Sequence, residues 1–180
     1  MKEISLHILD IAQNSVRAGA TRIEITLIEE GSDLSFTIRD NGCGMSAELL
    51  SSVTDPFTST RTTRKVGLGI PLLILAARQT GGGVSISSQT GEHHGTVLAA
   101  RFCLDHIDCM PLGDMTETIV TLIKGAPDID WIYTHTGDGY NVSLSTPDIR
   151  AVLGDGISLG DPEILQWIRS SLSAEYQNRF

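Results

Sequence analysis

No stretch of this 180-residue chain stays apolar for the roughly 18 residues that a membrane-spanning helix needs. The opening segment, MKEISLHILDIAQNS, is interrupted by Glu3, His7 and Asp10, so it lacks the unbroken apolar centre of a secretory leader. A cytoplasmic location, away from membranes, is the expectation. The three cysteines, Cys43, Cys103 and Cys109, make no C-x-x-C pair and no disulfide framework, which predicts reduced thiols. CLDHIDC offers Cys103, His106 and Cys109 as soft ligands but no second ligand pair, so a metal site there is not expected. Positive charge is also scarce: 13 Lys and Arg stand against 22 Asp and Glu, a formal net charge of -9. A nucleic-acid groove needs a basic surface, and that class is set aside. No internal repeat is visible.

The chain holds 41% hydrophobic and 19% charged residues, ordinary for a globular domain able to bury a core. The negative excess is uneven. Residues 1–103 carry 9 basic and 10 acidic residues, whereas 104–180 carry 4 and 12. This places an expected boundary near Leu104, with a first domain over 1–103 and a small acidic appendage over 104–180.

The stretch ILDIAQNSVRAGAT has the apolar spacing of an amphipathic helix, yet Asp10, Asn14 and Arg17 recur at i, i+4 and i+7. They share one helical stripe, which suits either a solvated face or a ligand site. Ile23, Ile25 and Leu27, then Leu34, Phe36 and Ile38, alternate as two antiparallel strands joined at GSD. NGCGM cannot continue a strand, because its two glycines mark a bend or a close approach. A short helix follows over about 46–53. DPFTSTRTTRKVGLG has no hydrophobic period and reads as a long exposed loop. A helix over IPLLILAARQT and two strands, VSISS and TVLAARF, complete the first part. Paired strands with helices gathered elsewhere predict an α/β fold, a two-layer α+β sandwich with a mixed, mostly antiparallel sheet. Beyond Leu104, Asp114 and Glu117 have capping-box spacing before a helix, DIDWIYTH and YNVSLST form a hairpin, and Asp161-Pro162 opens a last helix. That is an α-β-β-α appendage, with Trp131, Tyr133 and Trp167 expected to pack it and His106 and His135 read as structural.

Four polar or glycine-rich islands remain: Asp10/Asn14/Arg17; Asp40-x-Gly42-x-Gly44; the loop 55–65 running into Gly67-Leu68-Gly69; and Gly91 to Gly95-Thr96. Each alone is weak, but their order and spacing resemble the GHKL superfamily over residues 5 to about 103. That superfamily includes histidine-kinase catalytic domains, type II topoisomerases, mismatch-repair ATPases and certain heat-shock chaperones. LDIAQNSVRAGATRIEI followed by FTIRDNGCGM is similar to the N box and first glycine box of the mismatch-repair proteins. DPFTSTR and GLGIPL are similar to the F box and second glycine box of histidine kinases, and GEHHGT to a third glycine motif.

The resemblance implies a Bergerat-type sandwich holding ATP and Mg²⁺. Asn14 takes the position of the Mg²⁺-coordinating amide, and Asp10 the water-activating acidic position, usually Glu in the hydrolysing branches. Arg17 stands where histidine kinases often carry a basic residue facing phosphate, which favours the kinase-like branch. Asp40 takes the adenine-amine position, with Gly42 and Gly44 letting backbone approach adenine and ribose. Thr58, Arg61, Arg64, Lys65, Gly67, Leu68 and Gly69 fall where the family binds the triphosphate, consistent with donors and cations at a helix start. Gly95 and Thr96 complete the pocket, while His93 and His94 read as turn residues. About nine residues precede the N box, so the expectation is phosphotransfer to a partner in trans, as in a histidine-kinase catalytic domain or an anti-sigma-type kinase. An ATP-gated binding switch and a slow ATPase are the alternatives. A homodimer is compatible with the sequence.

Overall fold

A computed structural model describes residues 2–54, 68–154 and 156–177. Helix α1 (Ile4–Arg17) leads into strands β1 (Arg22–Glu30) and β2 (Asp33–Asp40), then helices α2 (Ala47–Thr54) and α3 (Gly69–Gln79), and strands β3 (Gly83–Gln89) and β4 (Gly95–Cys103). Helix α4 (Met115–Gly125), strands β5 (Asp130–Gly137) and β6 (Tyr140–Ser145), and helices α5 (Thr146–Leu153) and α6 (Pro162–Gln177) follow.

The six strands form one sheet in the order β3-β4-β2-β1-β5-β6. Every neighbouring pair is antiparallel except β1 with β5, which is parallel. The expected α/β sandwich with a mixed, mostly antiparallel sheet is therefore what the chain forms.

Period-two alternation divides the sheet into two faces. Ile23, Ile25 and Leu27 of β1, Leu34, Phe36 and Ile38 of β2, and Leu98, Ala100 and Phe102 of β4 are buried with Ile4, Ile8, Ile11 and Ala12 of α1. On the other face Thr26, Thr37 and Thr134 stand opposite one another in a cross-strand row.

The order α4, β5, β6, α6 appears in 104–180 as anticipated, but these strands extend the same sheet. Ile23 pairs with Trp131 and Ile25 with Tyr133, and the core continues from α1 into α4 and α6. The segment after β4 also holds α1 in place: the Ile4 and Ser5 N–H groups, which lack intrahelical acceptors, donate to the Pro111 and Leu112 carbonyls at 3.0 and 2.7 Å. The charge change near Leu104 thus marks a change of surface, while sheet and core run across it.

Two details correct the reading above. Helix α5 was not anticipated; Ser145 Oγ accepts from the Asp148 N–H and Pro147 lies in its first turn, a start signal hidden behind β6. Trp167 does not pack the second half, because its residue is 56% exposed on α6. Trp131 and Tyr133 are buried as expected.

Candidate functional site

Asp40 ends β2 with its side chain on the helix-covered face, between Ile23 of β1 and Thr96 of β4. Three protein donors converge on its carboxylate. Ser15 donates its hydroxyl to Oδ2 at 2.5 Å, while the Gly42 and Thr96 N–H groups donate to Oδ1 at 2.9 and 3.2 Å. Ser15 was absent from the residues singled out in the sequence. Its signal was present, since a hydroxyl at the buried spacing of Ile8, Ile11 and Ala12 on α1 has to find a partner inside.

Beside Asp40 lies a cavity of about 220 Å³. Asn14, Ser15, Asp40, Gly44 and Thr96 form its polar edge, and Ile11, Ile38, Ile70, Ile86 and Leu98 its apolar floor. A flat, largely apolar ligand with a few polar edge atoms matches such a lining.

The glycine segments interlock around this cavity by backbone contact. A Cβ on Gly44, at φ +70°, would sit 1.8 Å from the Gln89 carbonyl oxygen, and one on Gly95, at φ +144°, would sit 2.3 Å from that of Asp40. Only glycine lets these chains approach. Ser88, also missed, joins them: its Oγ accepts from the Met45 N–H at 2.7 Å and shares a 2.9 Å hydrogen bond with Thr96 Oγ1. Asn41 ties the turn to β1, its Oδ1 accepting from the Thr21 and Arg22 N–H groups, both at 2.9 Å. His94 donates from Nδ1 to the Gly42 carbonyl at 2.7 Å, so it serves the turn as expected.

The polar stripe of α1 divides. Asn14 lines the cavity. Arg17 does not; it sits exposed at the rim and donates from Nη1 to Asn14 Oδ1 at 2.6 Å. Asp10 lies against the start of α3, where a Cβ on Gly69 would come within 1.8 Å of Asp10 Oδ2. Leu68 brings its backbone to the same helix start with its side chain in solvent, 69% exposed. The structure therefore joins Asn14, Asp40, Gly44 and Thr96 in one cavity, with Gly42 and Gly95 behind it and Asp10 with Gly69 beside it. Thr58, Arg61, Arg64, Lys65 and Gly67, and the expected triphosphate loop with them, lie outside the described residues.

Residues 2–106 match the family described as histidine kinase-, DNA gyrase B-, and HSP90-like ATPase. The chain belongs to that family. This GHKL domain is 37% identical over 94 residues to an uncharacterized sensor-like histidine kinase of Rhizobium meliloti, covering 49% of this chain and 17% of the relative. It is 28% identical over 81 residues to the sensor kinase CckA of Brucella abortus, covering 44% and 9%. The chain thus spans less than a fifth of the length of these curated relatives.

Among solved structures, the fold resembles the N-terminal domain of a DNA repair protein, with a TM-score of 0.57 at 16% identity over 87% of this chain and 58% of that one. It also resembles the Aquifex aeolicus MutL ATPase domain complexed with ADP, with a TM-score of 0.51 at 12% identity over 94% and 88%. At these identities the likeness concerns the fold. The protein is accordingly an ATP-binding GHKL domain of Bergerat architecture that resembles the catalytic domain of histidine kinases.

Proposed function

We propose that the GHKL domain positions Mg-ATP and transfers its γ-phosphate to a partner protein in trans. The observation that carries the nucleotide pose is the state of Asp40. An ionised carboxylate only accepts, at about four lone-pair positions. Three are taken by Ser15, Gly42 and Thr96, which leaves one acceptor position for a ligand in the adjoining cavity. The exocyclic amine of adenine donates there, whereas guanine would present an oxygen.

Asn14 at the cavity edge has the oxygen a Mg²⁺ ion favours, with phosphate oxygens and waters completing the shell. Among the described residues no group of three His, Cys, Asp or Glu side chains can hold a metal, so Asn14 and the nucleotide would share that role. Asn14 Oδ1 accepts from Arg17 through one of its two lone pairs, which leaves the other for the ion and places a guanidinium beside the site for phosphate. The ion would neutralise phosphate charge; the protein's part is to hold the base at Asp40 and orient the chain toward α3.

Two of the five histidines are closed to a γ-phosphate within the chain, since His135 is fully buried with both ring nitrogens engaged and His7 is 2% exposed, whereas His93, His94 and His106 are exposed. Incubating the purified chain with γ-labelled ATP and cell extract tests the reading. Label on a second protein supports it; free phosphate alone, or bound ATP protected from turnover, replaces it with a slow ATPase or a nucleotide-gated switch. Asn14→Ala should reduce label transfer at least tenfold with the fold intact, and unchanged Mg-ATP affinity and transfer would overturn its role.

A further inference from the structure

We propose a second ligand site, for a phosphate group, on the outer face of the sheet back to back with the nucleotide cavity. The same three strand ends build both. Even-numbered Ile38, Asp40, Ile86, Thr96 and Leu98 line the inner cavity, whereas odd-numbered Arg39, Ser87, Gln89 and Val97 line an outer pocket of about 290 Å³. Strand alternation underlies this division, because successive side chains of β2, β3 and β4 point to opposite faces, and at the strand ends Asp40, Ser88, Gly95 and Thr96 border the outer pocket as well. The turn before β4 closes the outer pocket with His93 and His94.

Its chemistry is that of an anion site. Arg39 has no hydrogen-bond or ion-pair partner among the described residues. Glu24, opposite it on β1, is already paired with Arg22 at 2.9 Å. The Asp40 carboxylate is already engaged by Ser15, Gly42 and Thr96. No carboxylate-bearing side chain other than that of Asp40 belongs to the lining, although Glu92 lies in the same turn. The donors come from separate elements: the Arg39 guanidinium from β2, the Ser87 hydroxyl and Gln89 amide from β3, and the His93 imidazole from the turn. His94 donates from Nδ1 to the Gly42 carbonyl, so its Nε2 is an acceptor in the neutral ring and would donate to phosphate only as the imidazolium. Donors arranged around a concavity suit a tetrahedral oxyanion, whose acceptors point in several directions, better than a planar carboxylate. The volume leaves room for the group that carries it.

This site stands apart from the proposed phosphotransfer, and the test keeps the two separate. Inorganic phosphate is titrated into the isotopically labelled chain with ADP present to fill the nucleotide cavity, and the Arg39 side chain and the Ser87 and His93 amides are followed by NMR. Saturable shifts confined to these groups, at low-millimolar phosphate, are expected. They should weaken at least fivefold in Arg39→Gln and in the double variant Ser87→Ala/His93→Gln, while either variant keeps ADP affinity within twofold in phosphate-free buffer. A phosphoserine peptide forms the second arm: at least fivefold tighter binding than inorganic phosphate identifies a phosphorylated side chain as the source, and equal or weaker binding identifies the free ion. Shifts that never saturate, or that persist unchanged in both variants, overturn the site. Failure of ADP to bind the unmodified chain overturns the nucleotide reading instead and leaves the phosphate titration readable.

Discussion

At the scale of single residues, Asp40 and Ser15 form one unit. Asp40→Asn replaces an acceptor-only group by one with a donating end. Either that end meets the Gly42 and Thr96 N–H groups, or it turns to the cavity and faces the adenine amine. ATP affinity should fall at least tenfold in calorimetry with the circular-dichroism spectrum retained, and equal affinity would count decisively against the pocket. Ser15→Ala removes the donor to Oδ2 but leaves the acceptor, so its cost falls on stability, about 1–3 kcal/mol for a buried polar group left short of a partner, measured by urea unfolding. Asp40, Gly44 and Gly95 were legible because glycine and carboxylate spacing is local. Ser15 and Ser88 were not, since a single serine becomes meaningful only when another element brings its partner, 25 residues away for Ser15 and 43 for Ser88. The same limit explains Arg17, whose stripe position was clear while its bond to Asn14, outside the cavity, depended on side-chain rotation.

At the scale of elements, five of the six helices and all six strands among the described residues were anticipated from the sequence, and most of them bury one face against a common core. Helix α5 escaped because its start coincides with the end of β6, and the parallel pairing of β1 with β5 escaped because a hundred residues of chain separate its partners. Helix α6 shows how such distant elements are fixed. Its Tyr176 hydroxyl lies 2.8 Å from His135 Nδ1 and bonds to Tyr133, while His135 Nε2 meets Glu29 of β1 at 2.9 Å. Arg169 bridges to Glu117 of α4, holding that carboxyl below its ordinary range by hydrogen bonding and charge. This bridge is solvated and contributes little to stability. The Tyr176 cluster is the stronger anchor. Tyr176→Phe removes a hydrogen bond to a fully buried imidazole and should lower unfolding stability by about 1–3 kcal/mol, whereas Arg169→Gln should shift it by less than about 1 kcal/mol. If urea unfolding gave the reverse order, α6 would be held by its surface bridge.

At the scale of the whole molecule, the pH dependence of folding has an identifiable internal contributor. His7 is buried on α1, its Nδ1 has no hydrogen-bond partner among the described residues, and burial lowers its pKa below the usual 6.5, reinforced by the nearby N-terminal charge and partly opposed by Asp10. The unfolded chain therefore takes up this proton at higher pH than the folded one does. His7 contributes its full effect above pH 6.5, and stability is lost as the pH falls from there toward the lower folded value. The total curve sums every titratable group, so it does not isolate the effect. A substitution does. His7→Leu fills the same helix position without an orphaned nitrogen or a chargeable ring, and its stability relative to the unmodified chain should rise between pH 7.5 and pH 5.5. The rise is bounded by about 1.4 kcal/mol for each unit by which the folded pKa is lowered. Urea unfolding of both proteins at the two pH values measures that difference directly. A constant difference would mean that His7 keeps an ordinary pKa and that water reaches Nδ1 in solution.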